Sequence, residues 1–365
     1  MTQLQNCPPD AIRAAVPAPA GARDRVNEID LLRLIAALAV VFFHYAFRGY
    51  AADGMSVMPY PWLAPAAKYG FLGVQLFFMI SGFVILMTAA NGNLKSFAVS
   101  RVVRLYPAFW ACCSLTFVMI LLIGAPPFGA TLKQYLLNMT MLSGFVGVPS
   151  IDGVYWSLFI EMKFYALVAL VLLLGKIDRA EWFLLGWLLL SFVLEAWPNA
   201  RLRYWLIIDY SAYFIAGAFC YLIWSKGVSM LRLLVLLLCW VLAGWQTVKG
   251  LGDFTRHFNQ EISPLLTMLI VSLCFAVMLL VALRKTGAIG LRRWQLAGAL
   301  TYPLYLLHQN IGFMLFNRAY PAINPHLLLW GTVALMLLLA YGVNRLVERP
   351  LAPRMKATLS RLWPH

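Results

Sequence analysis

Residues 31–50 read LLRLIAALAVVFFHYAFRGY, an apolar run in which Arg33, His44 and Arg48 are the only basic residues and no acid occurs. A helix needs about 20 mostly apolar residues to cross roughly 30 Å of hydrocarbon at 1.5 Å per residue, and this stretch meets that length. Nine more segments qualify or nearly do: 70–90, 105–123, 154–174, 181–197, 204–224, 231–248, 262–283, 296–317 and 326–346. The fifth and seventh are short. The stretch 134–152, QYLLNMTMLSGFVGVPSID, is too short and glycine-broken to span and reads as an interfacial or re-entrant element. The expected fold is all-α, a polytopic transmembrane bundle of about ten spanning helices. Its expected parts are a flexible cytoplasmic tail over 1–30, a membrane domain over 31–346 and a short cytoplasmic tail over 347–365.

Composition supports this reading. Of 365 residues, 62% are hydrophobic and 12% charged, against about 45–50% and 25% in soluble domains; mean hydropathy is +0.78. The net charge of +15 would suit nucleic acid, but the Lys and Arg sit in short segments between apolar runs and form no single patch, so no nucleic-acid partner is expected. Of the 29 Lys and Arg, 19 fall in segments on the side of both termini and 8 on the other, with Arg33 and Lys163 inside helices. By the positive-inside rule both termini are cytoplasmic. Cys112, Cys113, Cys220, Cys239 and Cys274 lie in apolar runs and Cys7 in a polar tail, with no C-x-x-C spacing, which predicts neither a metal site nor a disulfide framework. The first 30 residues hold no apolar core that would make a cleavable signal.

Ionisable groups inside a span cost about 2.5–3.5 kcal/mol each at the centre, so each needs a reason. Counting along their helices, His44 lies about 20 Å from the inner surface, His308 about 18 Å from it, and Glu161 about 10 Å below the outer surface. The three therefore share one depth. A histidine and a carboxylate on one cavity can act as base and orienting partner; alternatively each histidine is a neutral core residue, and Glu161 a structural acid bonded to Trp156 or Tyr165. A second group gathers at the cytoplasmic ends: Arg33, Arg101, Arg104 and Glu348. The i, i+3 spacing of Arg101 and Arg104 puts both forks on one helix face, which suits a polyanion such as a nucleotide diphosphate; juxtamembrane arginines also meet lipid phosphates.

At these residues the chain resembles the acyltransferase-3 family of integral-membrane O-acyltransferases, over about residues 26–352. IDLLRLIAALAVVFFHY (29–45) matches its first-helix signature with Arg33 and His44, and GVQLFFMISGFVIL (73–86) its second. SRVVRLYPAFW (100–110) carries R-x-x-R followed by Tyr106 and Pro107. YWSLFIEMKFYAL (155–167) places Glu161 at the acid of W-S-L-x-x-E, while TYPLYLLHQN (301–310) and VERPL (347–351) supply His308 and Glu348.

The resemblance implies transfer of an acyl group, usually acetyl, from cytoplasmic acyl-coenzyme A to a sugar hydroxyl of an envelope or exported glycan. Acetyl-CoA is then the expected donor, with Arg33, Arg101 and Arg104 on its phosphates and no metal required. The catalytic residues are expected to be His44 and Glu161, supported by Tyr106, Trp156, Tyr302, His308 and Glu348. The tyrosines and Trp156 offer stacking surfaces for sugar. Expected partners are acyl-CoA, a lipid-linked or polymeric sugar of an exopolysaccharide, membrane lipids and other polysaccharide-assembly proteins, at the bacterial inner membrane. Only 19 residues follow residue 346, so the bundle is expected to perform the whole transfer. The competing readings are a flippase for a lipid-linked glycan, with the buried charges forming a pathway, and an acyltransferase for another envelope glycan or a small secreted metabolite.

Overall fold

The computed structural model describes residues 26–51 and 54–362. Most of the expected N-terminal tail thus lies outside the described residues. Ten helices of 17 residues or more account for the apolar segments: α1 (Asn27–Phe43), α2 (Gly73–Ala89), α3 (Leu94–Ile123), α4 (Tyr155–Leu173), α5 (Ala180–Ala196), α6 (Ile208–Lys226), α7 (Met230–Phe258), α8 (Pro264–Ala282), α9 (Gln295–Ala319) and α10 (Pro325–Val343). An eleventh, α11 (Arg349–Leu362), follows a π turn after α10. No strand occurs among the described residues. Among the described residues, seven helical stretches, some running through more than one of these elements, are long and apolar enough to cross a membrane by length and composition.

The boundaries differ from expectation where polar turns extend apolar helices. The chain is already helical at Asn27, with Glu28 and Asp30 buried, so the first helix begins inside the expected tail. Helix α3 starts at Leu94, not 105, because Asn93 caps it by accepting from the Ser96 N–H and so admits the polar turns that carry Arg101 and Arg104. Helix α7 runs on to Phe258. Residues 347–365 are not simply a tail, since α11 packs along α3. The stretch 134–152 does not span; it folds as the helix Leu132–Asn138 and a 3-10 turn at Ser143–Val146.

Helices α1, α2, α6 and α9 form the core. From Ser211 to Cys220 every residue of α6 is buried, as is every residue of α9 from Pro303 to Met314. Close approach makes this possible: a Cβ on Gly217 would overlap the Met79 carbonyl, and one on Gly82 the Phe214 carbonyl, so α2 and α6 meet backbone to backbone. Gly312 likewise admits the Tyr45 ring, seating α9 on the first helix. Where α1 passes into a π turn over His44–Arg48 the winding widens, and this turn carries His44 and Arg48.

Candidate active site

Two cavities sit within this core, and the expected site residues divide between them. The first, about 290 Å³, is lined by Arg33, Ser81, Arg101, Arg104, Glu161 and Tyr302 among others. Glu161 accepts a hydrogen bond from Ser81 Oγ at 2.6 Å. Arg104 lies 3.7 Å from Glu348, which Asn344 holds by donating to its other oxygen at 2.7 Å. Arg101 reaches Thr88 Oγ1 at 3.4 Å and lies 5.9 Å from the centres of the Phe97 and Tyr165 rings. The lining thus holds three guanidinium groups and one carboxylate, with Glu348 at its edge and the buried Asp30 interacting with Arg33. The Tyr302 hydroxyl there is buried and has no hydrogen-bond partner among the described residues.

The second cavity, about 610 Å³, contains His44, Arg48, Trp156 and Gln246 and a group of ion-paired side chains from α5, the short helix Ala200–Trp205, α6 and α7. Val74 and Tyr305 line both cavities, so the partition between them is one side chain thick. Tyr305 Oη is held there by Ser157 Oγ at 2.7 Å.

His44 has its own partner. His308 Nδ1 donates to the Tyr305 carbonyl at 2.8 Å, which leaves Nε2 of the neutral ring as an acceptor, 3.1 Å from His44 Nδ1. His44 Nδ1 is also 2.8 Å from the Val40 carbonyl and must donate there. On the other edge of the ring, Arg48 Nη1 stands 3.4 Å from His44 Nε2. A guanidinium only donates, so Nε2 carries the free lone pair and opens on the second cavity. His308 is itself fixed, because Tyr45 Oη donates to its carbonyl at 2.6 Å.

Glu161 is not in this arrangement. Depth along a helix does not specify the face, and α4 turns Glu161 toward Ser81 and the arginines while His44 and His308 meet beyond Tyr305. Trp156 lies in the histidine cavity and Tyr302 in the arginine cavity. Tyr106 lines neither cavity; its hydroxyl donates to the Thr140 carbonyl at 2.9 Å. Among the described residues no cluster of His, Cys, Asp or Glu could hold a metal.

Sequence reading passes over Asp152. Its two oxygens accept from the backbone N–H groups of Val154 at 3.1 Å and Asn310 at 3.0 Å, tying the loop before α4 to the helix segment that carries His308. Burial pushes its carboxyl up to about 7, despite those two donors. Its only signal in the sequence is an acid in a stretch that also holds Gly147, Pro149 and Gly153.

Comparison with known proteins bears on this geometry. A family model described as an acyltransferase domain matches residues 26–345. The chain is 30% identical over 169 residues to nodulation protein 10 of Rhizobium leguminosarum bv. viciae, covering 40% of this chain and 44% of that one. It is 29% identical over 167 residues to the peptidoglycan O-acetyltransferase OatA of Listeria monocytogenes, covering 39% and 23%. It is also 33% identical over 94 residues to the O-acetyl transferase of Shigella phage Sf6, covering 26% of each. The matched stretches thus span less than half the length of these relatives. No solved structure matches. With a family model covering nearly the whole chain and seven helices able to cross a bilayer, this multi-pass membrane protein belongs to the acyltransferase-3 family.

Proposed function

We propose that the protein transfers an acetyl group from cytoplasmic acetyl-CoA to a sugar hydroxyl of an exported polysaccharide or its lipid-linked repeat unit. The observation that carries this reading is the pairing of a cavity lined by three arginines with a histidine cavity across a single side chain, Tyr305. Arg33, Arg101 and Arg104 bind the phosphates of the donor, for which a fork of donors on one helix face is suited. The pantetheine arm runs inward and the buried Tyr302 hydroxyl supplies a hydrogen bond along its path. Glu161 balances and orients the arginines and does not touch the reacting atoms. In the bacterial inner membrane, with both termini cytoplasmic, the arginine cavity opens to the cytoplasm and the histidine cavity faces outward. Names of relatives that act on peptidoglycan support a glycan as the acceptor.

In the transfer, His44 Nε2 takes the proton of the sugar hydroxyl while that oxygen attacks the thioester carbonyl carbon. The carbon–sulfur bond breaks, and the coenzyme thiolate takes the proton back from His44. His308 keeps the His44 proton on Nδ1 and so leaves Nε2 free to act as base. Arg48 gives up its weak contact to Nε2 when the acceptor arrives.

Acetyl-CoA binding tests this reading without an acceptor. A ligand that binds only the folded protein raises its thermal midpoint by mass action. Acetyl-CoA is expected to raise the midpoint of the protein in nanodiscs, to do so equally for His44→Ala, and to fail for Arg101→Ala. No shift in the native protein, or an undiminished one in Arg101→Ala, would overturn the donor assignment.

A further inference from the structure

The Tyr305 ring is held across the partition by its hydroxyl. Tyr305 Oη lies 2.7 Å from Ser157 Oγ, and both oxygens reach the Val154 carbonyl, at 3.3 Å and 3.1 Å. Two hydroxyl protons thus serve two contacts: one hydroxyl donates to the carbonyl and the other donates to its neighbour. Val154 is fixed in turn. Its N–H donates to Asp152, whose other oxygen accepts from the Asn310 N–H, while Asn310 Nδ2 donates to the Ile151 carbonyl at 2.8 Å. The catch is therefore tied back to α9, the helix that carries Tyr305. The Tyr305 backbone is engaged as well, since its carbonyl accepts from His308 Nδ1. Between these fixed points only the side chain is free to turn, once its hydroxyl contacts break.

The two sides of this ring differ in their access to water. On the arginine side it stands 5.6 Å, centre to centre, from Phe77, which lines that cavity with Val74 and Phe78. The histidine cavity on the other side is lined by Lys249 and Asp209, whose side chains are 57% and 58% exposed, so it communicates with solvent. A base able to take the proton of a sugar hydroxyl also takes one from water. In that side reaction His44 Nε2 takes a proton from water as the water oxygen attacks the thioester carbonyl carbon. The carbon–sulfur bond breaks and the thiolate takes the proton, which releases acetic acid and the coenzyme thiol. A thioester left beside His44 with no acceptor present is therefore wasted, and the site needs a barrier against this.

We infer that Tyr305 is a gate between donor and base, latched by Ser157 and the Val154 carbonyl, which keeps the thioester away from the water of the histidine cavity until its side chain rotates. The inference rests on the reading of the arginine cavity as the donor site and of His44 as the base. In the latched state the ring separates the thioester from His44, and breaking the Ser157 and Val154 contacts lets the ring turn without moving the backbone that fixes His308. Transfer passes through the same opening. Because the ring lines the histidine cavity, an acceptor seated there packs against it and takes the place of the water, so it shifts the closed–open balance as water does not. The gate thereby favours transfer over hydrolysis.

Release of thiol from acetyl-CoA by the full chain in nanodiscs, with no acceptor added, tests this. Tyr305→Phe keeps the ring and removes the latching hydroxyl; Ser157→Ala removes its partner. Each is expected to speed thiol release by roughly two- to tenfold, the shift in a closed–open equilibrium that one hydrogen bond is worth, while acetyl-CoA still raises the thermal midpoint. Adding His44→Ala to Tyr305→Phe is expected to return release to the native rate or below it. A merely structural role for Tyr305 would lower the midpoint without speeding release. Release no faster than native in these variants, with the acetyl-CoA midpoint shift retained, would overturn the inference alone, and so would fast release that survives the added His44→Ala. Absence of the midpoint shift in the native protein would overturn the donor reading and the gate with it.

Discussion

The arginine cavity and the histidine cavity share α1, α2, α4 and α9 and are separated by Tyr305, yet the ionisable side chains that line them differ. In the first, guanidinium groups from α1 and α3 converge on a single lining acid, Glu161; in the second, Glu195 of α5 joins Arg203 of the short helix Ala200–Trp205 and Lys249 of α7, and Arg203 also pairs with Asp209 of α6. A small space lined by three guanidinium groups suits a polyanion, while the larger space holds the histidine pair. On the proposed reading the donor enters the first cavity and the acceptor the second, with His44 on the acceptor side of the partition.

The largest effect that would break this comparison is at His44. His44→Ala is expected to lower transfer by about 10²–10⁴-fold, the usual worth of general-base help, while leaving the acetyl-CoA midpoint shift intact; near-normal turnover would remove His44 from the mechanism. Next is the donor side. Arg104→Ala removes a charge-assisted contact of about 1.5–3 kcal/mol, and is expected to raise the KM for acetyl-CoA by roughly 10–150-fold with little change in saccharide affinity; an equal loss at both sites would mean the cavities are not independent. Gly217→Ala acts on the scaffold shared by both, because its methyl group meets the Met79 carbonyl where α2 and α6 touch. Overpacking of this kind costs about 1–3 kcal/mol, which should appear as a lower thermal midpoint with donor and saccharide binding reduced together. A further effect concerns pH. The folded state favours neutral Asp152, whose carboxyl is raised to about 7, against about 3.9 in an unfolded chain. Its contribution to stability is therefore full below about 4 and is lost as pH rises to about 7. Asp152→Asn should flatten the pH dependence of the midpoint in that window; an unchanged slope would assign the dependence elsewhere.

Much of this architecture is legible in the sequence for a simple reason: apolar runs long enough to cross hydrocarbon must be helical to satisfy their backbone. The ten long helices coincide with the ten apolar segments, and the discrepancies fall where amphipathic turns extend them, at Leu94 and at Phe258. The arginine cluster is equally readable, since Arg101 and Arg104 share a helix face by spacing alone. Glu161 shows the limit. Counting residues from the membrane edge gives depth, but the choice between facing Ser81 and facing His44 depends on how α4 rotates against α2, which periodicity in a helix of almost uniform hydrophobicity does not fix. Glu195, Arg203 and Asp209 were hidden differently. They come from the end of α5, the short helix Ala200–Trp205 and the start of α6, and each alone resembles an ordinary charge at a membrane edge.

The central claim is that the two cavities take their substrates from opposite sides of one membrane, with His44 between them. It is tested most directly by supplying radiolabelled acetyl-CoA to sealed membrane vesicles of each orientation and following label into the glycan fraction. The account predicts incorporation in inside-out vesicles, where the arginine cavity faces the added donor, none in right-side-out vesicles, and none in either for His44→Ala. Equal labelling in both orientations, or labelling that survives His44→Ala, would contradict it.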